Sequence, residues 1–130
     1  MLIPRKKKVI TDGLWVRCDG CRGLIYKKAM EEKLHVCTEC NYHFRISAGE
    51  RIRATLDEGS FQELWADMTS ADPLEFRDRI SYKERLEAER AKTGLKEAAL
   101  VGLGSIKGRK VVFGATDSNF IMGSMGSVVG

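Results

Sequence analysis

The sequence predicts an α+β chain that begins with a small metal-pinned module, and three observations carry that prediction. All four cysteines fall into two pairs, Cys18-Asp19-Gly20-Cys21 and Cys37-Thr38-Glu39-Cys40, separated by residues 22–36. Two thiolates two residues apart can meet one metal from a tight knuckle, and two such knuckles complete the sulfur tetrahedron that suits Zn²⁺. Between 47 and 97, three Ser-x-x-Glu boxes (Ser47–Glu50, Ser60–Glu63 and Ser81–Glu84) mark helix starts. From about Ala98 the chain turns apolar and glycine-rich, the pattern of a β-hairpin leading into a glycine loop. The expected order is therefore a four-cysteine zinc ribbon, a helical stretch, and the beginning of an α/β domain.

The elements follow in chain order. Residues 1–12 form a basic flexible tail whose Arg5, Lys6, Lys7 and Lys8 account for the formal net charge of +4, because the other Lys and Arg balance the 18 Asp and Glu. A basic tail attracts phosphate backbones, so a nucleic-acid-binding ribbon is the rival reading, with a subunit-docking ribbon without catalysis as a third. Against nucleic acid, few aromatic residues are interleaved with basic ones for base stacking. Residues 13–46 form the ribbon: Leu14–Arg17 is a strand into the first knuckle, Leu24–Lys27 a second, and Leu34–Val36 a third into the other knuckle. Gly20 and Gly23 are expected where the first knuckle needs unusual backbone angles, and Asn41 where the second tolerates left-handed geometry.

Residues 47–97 form a helical connecting region. A first helix starts at Ser47, carries Ile52 and Leu56 on one face and ends at Gly59; a second runs from Ser60 through Trp65; Asp72-Pro73 is a loop. A third helix runs from Ser81 to about Thr93, closed by Gly94, with Tyr82 and Leu86 facing one way. In residues 98–130, strands over 99–106 and 111–115 flank a turn at Lys107-Gly108. One hairpin cannot cover both faces of the apolar run from Leu100 to Val129, which predicts either a longer polypeptide or a partner.

The cysteines could instead pair as disulfides or form a redox motif. No secretory signal follows Met1, so secretion is not expected and the thiols are read as reduced metal ligands. His35 and His43 compete as ligands, but four cysteines already close the tetrahedron. A closed four-sulfur site leaves no open coordination position, so the metal is read as structural. No paired carboxylates, Ser-His-Asp set or lone reactive cysteine can be argued from spacing. The one candidate ligand site outside the ribbon is the glycine loop with Gly123, Ser124 and Gly126, whose backbone amides could stabilise an oxyanion. No apolar run approaches the ~18 residues that span a membrane.

Several stretches together resemble a known family: Gly13-Leu14-Trp15, the two cysteine pairs, Asn41-Tyr42-His43-Phe44-Arg45, Gly59-Ser60-Phe61, Asp72-Pro73-Leu74, Lys92-Thr93-Gly94 and, above all, Met122-Gly123-Ser124-Met125-Gly126-Ser127-Val128-Val129-Gly130. They resemble the β subunit of the carboxyltransferase component of bacterial and plastid multi-subunit acetyl-CoA carboxylase. The resemblance implies a ribbon joined to a crotonase-like (ClpP/crotonase) domain that pairs with an α subunit, with the stretch 98–130 as the incomplete start of that domain. It implies transfer of a carboxyl group from carboxybiotin, supplied in trans on a biotin carboxyl carrier protein, to acetyl-CoA, giving malonyl-CoA for fatty acid synthesis. A biotin carboxylase would complete the complex, in bacterial cytoplasm or plastid stroma. Within this chain the resemblance makes Gly123, Ser124 and Gly126 an active-site lining; the glycine pair most associated with the family's β-subunit oxyanion hole is expected beyond Gly130. It also implies that residues 1–130 alone carry no carboxyltransferase activity.

Overall fold

The computed structural model describes residues 13–130; the basic tail expected at 1–12 lies outside the described residues. Two compact units are present, one ending at Arg45 and the other spanning Ile46–Gly130.

In the first unit, β1 (Trp15–Arg17) pairs antiparallel with β2 (Leu24–Tyr26), Val16 opposite Ile25. Strand alternation turns Ile25 inward and leaves Leu24 and Tyr26 exposed. Trp15 faces Tyr26 across the pair, with ring centroids 5.6 Å apart. The chain then forms α1 (Lys27–Glu32), which corrects the expected extension of the strand to Lys27. Its Lys, Ala, Met and Glu residues all favour helix, and Met30 supplies the single buried contact. The third strand expected at Leu34–Val36 is also absent. Leu34 and His35 both take left-handed angles (φ 54° and 60°), turning the chain back, and Val36 makes only an isolated antiparallel bridge to His43.

In the second unit, β3 (Gln62–Leu64), β4 (Ala99–Ile106) and β5 (Arg109–Thr116) form an antiparallel sheet with β4 in the centre. The hairpin turns at Lys107 and Gly108, both at positive φ, as the sequence predicts. Asp57 clamps that turn, its carboxylate accepting from the Lys107 and Gly108 amides (2.8 Å each) and the Ser105 hydroxyl (2.8 Å). The helix α2 (Ala48–Thr55) starts with a complete capping box, Ser47 with Glu50. It buries Ala48 and Ile52, with Leu56 just beyond, against a cluster that includes Ala115, Leu100 and Phe113. Two β4 glycines make room for their neighbours, Gly102 for Phe61 and the β3 backbone and Gly104 for Leu56. A Cβ on Gly102 would lie 2.4 Å from the Gln62 carbonyl oxygen and one on Gly104 2.6 Å from Leu56 Cδ1.

Two further expectations are corrected here. The first helix ends at Thr55, not Gly59, because Leu56 is extended into that packing; Gly59 (φ 69°) serves the turn that follows. The box at Ser60 opens no helix. Gln62 and Leu64 pair with Leu103 and Val101, and the Ser60 hydroxyl accepts from the Ser105 amide (3.1 Å). Pairing with a long central strand outweighs a local capping signal that offers only a fraction of that contact.

The expected third helix, α3 (Tyr82–Thr93), has its capping box and a left-handed Gly94 (φ 72°) at its end. Leu86 packs with Ala98 and Phe120, and Tyr82 lies against the same cluster. Buried Glu97 accepts from the Ser70 amide and from Arg90 Nη2 (3.5 Å), tying the irregular segment before α3 to the start of β4. At the end of β5 the buried Asp117 holds the Ala48 amide (2.8 Å) and the Asn119 amide (2.9 Å), joining the start of α2 to the last segment. No helix of the described residues is long and apolar enough to cross a membrane.

Candidate metal centre

The first knuckle is the loop between β1 and β2. Cys18 donates its amide to the Gly23 carbonyl (2.9 Å), and Arg22 donates to the Cys18 carbonyl (2.9 Å). The second repeats the design: Cys37 donates to the Tyr42 carbonyl (2.8 Å), and Asn41 to the Cys37 carbonyl (3.2 Å). In both, the residue after the second cysteine is left-handed, Arg22 at φ 62° and Asn41 at φ 59°. Asn41 matches the sequence expectation, whereas Arg22 takes the strained angle expected of Gly20 or Gly23. Gly20 matters for another reason: a Cβ there would sit 3.0 Å from Tyr42 Cβ and 3.2 Å from Cys40 Sγ, so a side chain would press the second knuckle away by a few tenths of an ångström.

The two knuckles bring all four sulfurs within 4.8 Å of one another. Across the site, Cys18 Sγ lies 3.7 Å from Cys40 Sγ, and Cys21 Sγ 3.9 Å from Cys37 Sγ. A tetrahedron with zinc–sulfur arms of about 2.3 Å has edges of about 3.8 Å, so the spacing fits one such ion and is too long for a disulfide. Neither histidine joins the cluster. Cys18 and Cys37 are fully buried, while Cys21 and Cys40 reach the surface. Amides aim at the buried sulfurs: Gly20 at Cys18 (3.3 Å), Glu39 and Cys40 at Cys37 (3.4 Å each).

Burial pushes the Cys37 thiol up, but those two amides, with the Cys40 and Cys18 thiols, more than offset it and bring its pKa down to about 6. Cys40 moves the other way, to about 12: a Tyr42 amide lowers it, but burial and the Cys37, Cys21 and Cys18 thiols together raise it further. Four sulfurs this close cannot all hold negative charge without a cation among them. A divalent ion supplies that charge, so the donor chemistry and the spacing agree.

Beside the metal cluster the ribbon has a core of Cys18, Ile25, Met30 and Cys37, with Phe44 packed on it. Met30 comes from α1, an element with only one apolar residue to bury and so without the periodicity that announces a helix. One more contact escaped sequence reasoning: Lys33, which caps α1, donates from Nζ to Asn41 Oδ1 (3.1 Å) and to the Cys37 carbonyl (3.4 Å).

The glycine loop lies in the second unit. Ile121, Met122 and Gly123 all have positive φ (42°, 58° and 73°), forming a left-handed turn closed by the Gly123 amide on Phe120 (2.8 Å) and the Ser124 amide on Ile121 (3.1 Å). Left-handed angles are costly for a β-branched residue such as Ile121. Ile121, Gly126 and Ser127 line a cleft of about 1000 Å³ together with Tyr82, Phe76 and Leu74. A Cβ on Gly126 would stand 3.4 Å from the Tyr82 hydroxyl.

Residues 15–40 match the acetyl-CoA carboxylase zinc finger domain. Over 125 residues, 96% of its length, the chain is 48% identical to the acetyl-coenzyme A carboxylase carboxyl transferase subunit beta of Rhodopirellula baltica, of which it covers 40%. It is 45% identical to the chloroplastic subunit beta of Pyropia yezoensis, covering 43% of that protein. A Natranaerobius thermophilus chain named for subunits beta/alpha is 49% identical over 124 residues, 20% of its length. The chain spans about two fifths of the length of the beta subunits it matches. The resemblance expected from its motifs is thus found along nearly the whole sequence.

Proposed function

From a chain that resembles the β subunits of acetyl-CoA carboxylase carboxyltransferase over 96% of its length, we propose that it serves as part of such a subunit. The reaction moves the carboxyl group from carboxybiotin on a carrier protein to acetyl-CoA, forming malonyl-CoA. The observation that carries this reading is the near-complete match at 48% identity, ribbon included. Cys18, Cys21, Cys37 and Cys40 hold one structural Zn²⁺; their sulfur spacing and the charge they would otherwise concentrate support that assignment. The ion supplies cross-linking and charge neutralisation, and leaves the chemistry to other residues.

The segment 98–130 is the start of a crotonase-like domain, and Gly123, Ser124 and Gly126 line its active site. Of the three, Gly126 lines the cleft, and the strained turn at Ile121–Gly123 leads into that loop, which supports the placement since such strain collects at functional loops. The partners are an α subunit, a biotin carboxyl carrier protein and a biotin carboxylase. A relative named for both subunits in one chain supports the first of these. Bacterial and chloroplastic relatives point to cytoplasm or plastid stroma.

A chimera tests the reading: residues 13–130 replace the matching segment of the Rhodopirellula baltica subunit, assayed with its α subunit, carboxybiotin and acetyl-CoA. Malonyl-CoA is the expected product, and an inactive chimera beside an active parent would overturn the assignment. The 130-residue chain by itself is expected to form none.

A further inference from the structure

We infer that Lys33 is a positioning residue of the metal centre, acting through the second knuckle, an inference that rests on the four-thiolate zinc site proposed above. The second knuckle is a turn from Cys37 to Asn41, closed by the Asn41 amide on the Cys37 carbonyl (3.2 Å). Lys33 Nζ spans the same turn from outside, holding the Cys37 carbonyl (3.4 Å) and Asn41 Oδ1 (3.1 Å). One ammonium therefore fastens both ends of the turn that carries two of the four sulfurs.

The geometry that delivers Lys33 is specific. The residue caps α1, and the next two residues, Leu34 and His35, are left-handed, which turns the chain back at the helix end, the His35 amide donating to the Met30 carbonyl (2.8 Å). Asn41, also left-handed, turns its side-chain oxygen toward the ammonium. On the first knuckle Arg17 Nη1 reaches one carbonyl, that of Arg22 (3.4 Å), and Arg22 and Lys27 lie beside Asp19 and Glu31 (3.8 Å each), whereas Lys33 holds two groups at the two ends of the second knuckle. Four thiolates around a divalent ion carry a net charge of about −2, so a cation fixed on the ligand turn favours the loaded state. Outer partners of metal ligands commonly change affinity by about 10–100-fold; an exposed lysine belongs at the lower end.

The full 130-residue chain is titrated with zinc against a chromophoric chelator. Lys33→Met, which keeps the apolar stem and loses charge and donors, is expected to weaken zinc binding about tenfold, and Lys33→Arg to keep most of the affinity. Lys28→Met, a charge removed elsewhere on α1, should leave the affinity within about twofold. Asn41→Gly keeps the left-handed backbone and removes the acceptor. In that background Lys33→Met should lose part of its effect, and strict additivity would overturn the staple. Zinc affinity unchanged in Lys33→Met, with the parent chain loading normally, would overturn the role of Lys33 alone. A parent chain that binds no zinc would instead overturn the metal site beneath it.

Discussion

Among the described residues of the unit ending at Arg45, the buried ones are Cys18, Ile25, Met30 and Cys37, so two of the four belong to the sulfur cluster. In the unit from Ile46, two apolar clusters carry the load, one under α2 and one around Phe120, and no metal-binding cluster is found there among the described residues. The contrast separates two ways of meeting the entropy of ordering a chain. On the zinc reading proposed above, the ribbon buries too little apolar surface to order itself and metal binding would supply much of its folding free energy, on the order of 10–16 kcal/mol in comparable zinc peptides. The second unit relies on packing, where each side chain contributes a few kcal/mol. Stress applied to one kind of interior should therefore leave the other standing.

The largest effect is expected from Cys37→Ser. Losing the buried ligand that receives two backbone amides should abolish stoichiometric zinc, measured by elemental analysis, and unfold the ribbon while the second unit keeps its amide protection. Retention of one zinc per chain would reopen the four-thiolate assignment and bring His35 or His43 back as a ligand. Next comes Phe120→Ala, which empties the centre of its cluster and should cost about 3–5 kcal/mol in the second unit. Denaturant unfolding checks that value, and zinc affinity should not move.

The smallest change comes from Asp57→Asn. Backbone donation from Gly108, then the Ser105 hydroxyl and the Lys107 amide, hold the Asp57 carboxyl below its usual range. A depressed carboxyl stabilises the fold at pH values above its unfolded pKa, and that contribution disappears as pH falls through the lower folded value. The thermal midpoint of Asp57→Asn should thus lie below that of the parent at neutral pH and converge with it in acid. A gap that persists in acid would mean that the carboxylate charge is not what secures the hairpin turn.

How much of this was legible in the sequence differs by unit as well. The sulfur cluster was legible because its information is local: two pairs at fixed spacing, with Asn41 marking a left-handed turn. The capping boxes at Ser47 and Ser81 were legible for the same reason. The identical box at Ser60 misled, because its fate depends on β4 pairing from a distant part of the chain. The helix α1 was hidden by having one buried residue, Met30, and with it went Lys33, whose contacts exist only once that helix and two left-handed residues bring it to Asn41. Gly20 was marked as special for the wrong cause, since close approach of Tyr42 and Cys40 is visible only in three dimensions. The family resemblance came chiefly from Met122–Gly130, a stretch whose residues alone offer backbone amides for an oxyanion but no strand-and-helix frame to specify a ligand.

The central claim, that metal orders the first unit and packing orders the second, is tested most directly by hydrogen exchange of the chain before and after one equivalent of Zn²⁺. Strong protection gained at amides between Trp15 and Phe44, with exchange from Ile46 to Gly130 unchanged, is the expected result. Equal protection of the ribbon without metal, or a second unit that also orders only when zinc is added, would contradict it.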